Sequence, residues 1–77
     1  MQAEQPPDEA LAFLSGREQQ VLVRLVQGLS MKQVARELGI APRTVAFHKY
    51  KAMENNGLQN NAELMEFALR HRLLPVG

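Results

Sequence analysis

Between Arg43 and Lys51 the chain sets two aromatic rings among cations: Arg43, Phe47, Lys49, Tyr50 and Lys51. On a helix, at about 100° per residue, residues 43–56 separate into two faces. Val45, His48, Ala52 and Met53 turn inward, with Lys49 and Asn56 on the same side. Arg43, Thr44, Phe47, Tyr50, Lys51 and Glu54 turn outward, and Ala46 lies at the boundary. Solvation accounts for outward charges, but two aromatic rings facing water are costly unless a partner covers them. In a DNA major groove a Phe touches a thymine methyl, a Lys reaches guanine O6 or N7, and an Arg holds a phosphate. Rings folded back onto their own domain are the competing reading.

A second group of candidates lies upstream. Ser30 and Lys32 stand at the start of a helix, where free N–H groups and the helix dipole suit a phosphate. Ser30 also has a structural task there as a cap. His48, at the edge of the inward face, reads as a packed or phosphate-touching side chain, and His71 as a partner for a helix C-terminus. The carboxylates are dispersed, there is no glycine-rich phosphate loop, and there is no cysteine. A binding domain is expected, with no metal, no cofactor and no catalytic residues.

Positioning these residues requires helices, and their start and stop signals are local. Ser30 with Gln33 forms a capping box, Val34, Ala35 and Leu38 recur at helical spacing, and Gly39 suits a helix end. Pro42 suits the first turn of the next helix, so residues 30–54 read as helix, tight turn, helix, the outline of a DNA-binding helix-turn-helix. Before it, Ser15 and Glu18 open a helix that buries Val21, Leu22, Leu25 and Val26 and ends near Gly28. The second helix is expected from about Met31 to Leu38 and the third from about Pro42 to Asn55, with Gly57 beyond it. A fourth follows Asn60, whose partner is Glu63, and runs to about Arg72, with Pro75 past it. No alternating strand pattern occurs, so the fold class is an all-α bundle of four short helices.

Seventy-seven residues allow one domain with a small core, burying about 60% of the unfolded chain's surface. Residues 1–13, with Pro6-Pro7, read as a linker or N-terminal extension, although DEALAFL at 8–14 has the pattern of a helical turn. Residues 14–77 form the domain. The net charge is only +1, but its distribution is uneven: −3 over residues 1–14 and +4 over the remainder. That asymmetry places a basic module behind an acidic leader. No run approaches the roughly 20 apolar residues of a membrane span, and no signal-peptide layout opens the chain, so a cytoplasmic protein without a membrane partner is expected.

From Leu14 to Leu74 the sequence closely resembles the LuxR-type (GerE-type) helix-turn-helix domain of bacterial transcription regulators. The resemblance is carried by LSGRE at 14–18, VLVRLVQGLSMKQVARELGIAPRTVAFHKYKAME at 21–54 and NAELMEFALRHRLL at 61–74. The wording around PRTVAFHKYKAME is most similar to effector domains of response regulators of the FixJ and NarL kind. The resemblance implies a four-helix domain whose third helix enters the major groove and whose fourth pairs two copies on a two-fold site. It places Ala46, Phe47 and Tyr50 toward bases, and Ser30, Lys32, Arg43 and Thr44 toward phosphates; the charges along the third helix add Lys51 to the base contacts and Lys49 to the phosphate contacts. It also implies as partners double-stranded promoter DNA, a second copy of the chain, and RNA polymerase. Three departures stand out: Ala41 where Ser or Thr is common, Ala46 where Lys or Glu is common, and Asn55-Asn56 for a commoner Lys-Leu or Lys-Met.

The fourth helix is apolar over an unusually wide arc. Leu64 and Ala68 are central, Phe67 lies on one flank, and Ala62, Met65 and Leu69 lie on the other. The flank of Ala62, Met65 and Leu69 is the expected dimer contact. The leading expectation is therefore the DNA-binding output domain of a two-component response regulator, acting as a dimer. The alternatives are a stand-alone or ligand-sensor-linked regulator of the same type, and a helical protein-interaction module anchored by Phe47 and Tyr50.

Overall fold

A helix can begin only where its first N–H groups find acceptors, and this chain provides them locally. The computed structural model describes residues 14–73, which form four helices and no strand: α1 (Gly16–Val26), α2 (Met31–Leu38), α3 (Pro42–Asn55) and α4 (Asn61–Arg70). At α1 the Glu18 N–H donates to Ser15 Oγ and the Ser15 N–H to Glu18 Oε1, both at 3.0 Å. Glu18 is buried, so this bond satisfies a carboxylate that would otherwise be costly. Ser30 and Gln33 make the same reciprocal pair at α2, at 3.1 and 2.8 Å. Asn60 accepts from the Glu63 N–H at 2.9 Å, but the Glu63 carboxylate bonds the Gln59 N–H instead of returning to Asn60. Ala41 supplies no side-chain cap to α3. Pro42 compensates because it has no N–H to satisfy and its φ is already helical.

The four helices end in one way. A left-handed residue turns the chain, and the next, apolar residue donates its N–H back across the last turn. These bonds run from Leu29 to Arg24, Ile40 to Ala35, Leu58 to Met53 and Leu73 to Ala68. Gly39 takes the turning position after α2, with φ 70°. After α4 the same position is held by Arg72, with φ 61°. This ends α4 at Arg70 and corrects the expected end near Arg72. The physical reason is Leu73, which is buried; continuing the helix would carry it away from the core. The possible helical turn over residues 8–13, the linker assignment and Pro75 lie outside the described residues.

Two apolar clusters hold the helices together. Val21, Val34, Ala35 and Val45 join α1, α2 and the first half of α3. Leu22, Val26, Ala52, Met53, Leu64, Phe67 and Ala68, with Leu14 and Leu73, join α1, the second half of α3, and α4. Thus α3 spans both clusters and its rotation is fixed at two places. The two left-handed turns give opposite expectations. No atom lies within 4 Å of a Cβ built on Gly39, so Gly39→Ala should lose about 0.5–1 kcal/mol through backbone conformation alone. Arg72→Gly should gain a similar amount, and urea denaturation of both variants checks the signs.

Candidate nucleic-acid interface

The packing decides which way α3 presents its rings. Val45 and Ala52 are fully buried and Met53 nearly so, whereas Phe47 is 60% and Tyr50 58% exposed. The rings therefore do not fold back onto the domain. Arg43, Lys51 and Glu54 are exposed beside them, and Ala46 is half-buried, as its boundary position requires. Thr44 is a partial correction. Helical spacing turns it outward, but it is half-buried in the first turn, where its N–H bonds the Ala41 carbonyl at 2.9 Å.

Side chains along α3 support one another. The Phe47 ring meets the half-buried His48 ring edge-on, with centroids 5.5 Å apart at 70°. The Lys49 ammonium lies 5.0 Å from the centre of the Tyr50 ring, a cation–π contact worth about 0.5–1 kcal/mol where exposed. Lys49 starts on the inward side, and its stem lines a groove of about 390 Å³ together with Leu25, Leu29, Met31 and Met65. Its charge reaches the Tyr50 ring from there. Helical spacing places Lys49 on the inward side and carries no sign of this reach.

On α2, Ser30 and Lys32 are exposed. The Ser30 N–H is engaged by Gln33 Oε1, and its Oγ accepts from the Gln33 N–H. What Ser30 retains for a ligand is its hydroxyl hydrogen. Behind this edge, Arg24 Nε of α1 pairs with Glu37 Oε1 of α2 at 2.9 Å, and Arg24 also donates to the Gln20 carbonyl. Sequence reasoning missed this brace because its partners are 13 positions apart and carry no local pattern.

On α4, Ala62 is exposed, as are Met65 at 39% and Leu69 at 63%, while Phe67 is buried against Leu64 and Ala68. The Phe67 ring also lies 4.8 Å from the His71 ring. Among the described residues no group of His, Cys, Asp or Glu is arranged to hold a metal ion, and no helix is long and apolar enough to cross a membrane. Burial of Val45 and exposure of Phe47 separate the two side chains in their effect on stability. Phe47→Ala should change stability by less than about 0.5 kcal/mol, whereas Val45→Ala should cost about 2 kcal/mol. Thermal melts of the two variants compare them.

Residues 12–68 match the family model described as bacterial regulatory proteins, luxR family. The transcriptional regulatory protein UhpA of Escherichia coli is 42% identical over 65 residues, covering 75% of this chain and 33% of UhpA. The transcriptional regulatory protein FixJ of Bradyrhizobium diazoefficiens is 39% identical over 64 residues, covering 83% of this chain and 31% of FixJ. The crystal structure of full-length FixJ from B. japonicum superposes with a TM-score of 0.75 at 38% identity, over 84% of this chain and 32% of that one. The chain thus spans about one third of the length of these relatives. With α2 and α3 joined by a tight turn at Gly39 and a family match over most of its length, the chain belongs to the luxR family of bacterial regulatory proteins and is a helix-turn-helix DNA-binding domain of a transcription regulator.

Proposed function

We propose that α3 enters the major groove of double-stranded promoter DNA, with Ala46, Phe47, Tyr50 and Lys51 toward base edges. Ser30, Lys32, Arg43, Thr44 and Lys49 face the flanking phosphates. The observation that carries this reading is the pair of exposed rings among cations on a helix whose opposite face is locked in the core. Arg43, Lys32 and Lys51 are all exposed, so they can neutralise phosphates with little desolvation of their own charge. Thr44 contributes only through the part of its surface left uncovered.

Two copies would occupy a two-fold site through α4, with Ala62, Met65 and Leu69 in contact. In its support, Met65 and Leu69 are large, apolar and exposed one turn apart on the same side of α4. The strip is small compared with the roughly 800 Å² per partner of a standard stable interface, so pairing is expected on DNA and not in free solution. The whole protein is read as a response regulator whose output segment is this domain. That reading is supported by the likeness to FixJ, about one third of whose length the chain spans.

Binding should weaken linearly in log–log form as salt rises, with a slope of about −0.9 per neutralised phosphate. Lys32→Ala should weaken binding to all sequences alike and make that slope shallower by about one per bound copy. A wild-type slope near zero would contradict DNA binding by this face. Met65→Glu should leave the monomer folded and abolish cooperative filling of two half-sites in gel-shift titrations. Cooperativity that survives it would exclude this flank of α4.

A further inference from the structure

The outward face of α3 is unusual in what it lacks. Adenine is read in the major groove by Asn or Gln, cytosine by Asp or Glu, guanine by Arg or Lys, and thymine by apolar contact with its C5 methyl. From Arg43 to Lys51 the helix carries no amide and no carboxylate. Glu54 lies a full turn beyond Tyr50, and Asn55 ends the helix. The largest apolar surface presented is Phe47, whose ring has no polar atom and so makes only apolar contact at a base edge, which the C5 methyl supplies. Its ring is steadied on one side by His48, and the neighbouring Ala46 is small enough to let the backbone approach the groove.

We propose that Phe47 reads the C5 methyl group of a pyrimidine regardless of which pyrimidine carries it, so that binding responds to 5-methylation of cytosine as it does to thymine. Thymine and 5-methylcytosine carry the methyl on the same ring carbon, at the same edge of the groove. They differ at position 4, where thymine has an oxygen acceptor and cytosine an amino donor. A phenyl ring cannot sense that difference. The exposed Tyr50 does not enforce it either, because a phenolic hydroxyl both donates and accepts. At the contact Phe47 makes, the discriminating feature is therefore the methyl itself, and any donation from Lys51 to thymine O4 is held constant when cytosine is compared with 5-methylcytosine.

This inference rests on the major-groove reading, and one set of titrations separates the two. A bound site is first selected from random DNA with the wild-type domain. Each thymine in it is then replaced singly by uracil, which removes only the methyl. At the same positions cytosine is compared with 5-methylcytosine, which adds only the methyl. At one position per copy of the domain, uracil should weaken binding about fourfold, the worth of burying one methyl-sized group. There, 5-methylcytosine should exceed cytosine by a similar factor, and Phe47→Ala should abolish both differences. Salt-dependent binding with no uracil effect at any thymine would overturn this inference and leave the groove reading standing. A methyl effect that persists in Phe47→Ala would also overturn it. No selectable DNA at all would overturn both.

Discussion

What α3 offers a partner depends on its rotation, and that rotation is set by valine packing at the α2–α3 joint. Val34 and Val45 are fully buried against Val21. Gly39 in its left-handed conformation lets the chain turn between them while Ile40 closes the end of α2. A slip of one residue along α3 would rotate it by about 100° and take the two rings off the outward face. Ala52, fully buried against the second cluster, fixes the far end of the same helix. The outward face is therefore a rigid product of the core, which is what base readout needs.

Electrostatics follows from where the carboxylates are used. From residue 15 onward the chain has five Glu against nine Lys and Arg. Glu18 is buried in the cap of α1, Glu37 is paired with Arg24, and Glu63 accepts the Gln59 N–H. These three serve α1, α2 and α4. The cations Lys32, Arg43 and Lys51 remain exposed along the α2–α3 edge. A net charge of +1 thus understates the field at this edge, since part of the acid is spent on structure elsewhere.

Much of this was legible in the sequence because the signals act over three or four residues. Ser15 with Glu18 and Ser30 with Gln33 form the expected boxes, and α2 and α3 have the expected bounds. The exposed rings of α3 were legible for the same reason, since helical spacing alone sorts Val45, Ala52 and Met53 from Phe47 and Tyr50; the family fold was legible through the resemblance of residues 14–74 to LuxR-type domains. What escaped depends on tertiary structure. An Arg in the left-handed region is disfavoured locally, and only the burial of Leu73 makes Arg72 adopt it. The Arg24–Glu37 brace joins different helices, and the reach of Lys49 to Tyr50 depends on a groove that several elements build. The half-burial of Thr44 arises in the first turn of an uncapped helix, which angular placement does not resolve.

Whether α3 lies in the major groove is decided by dimethyl sulfate interference on a selected site. The reagent methylates guanine N7, on the major-groove edge, and adenine N3, on the minor-groove edge. With α3 in the major groove, DNA carrying N7-methylated guanines within the site should be depleted from the bound fraction, while N3-methylated adenines are retained. Depletion at adenine N3 with no effect at guanine N7 would contradict a major-groove position for α3.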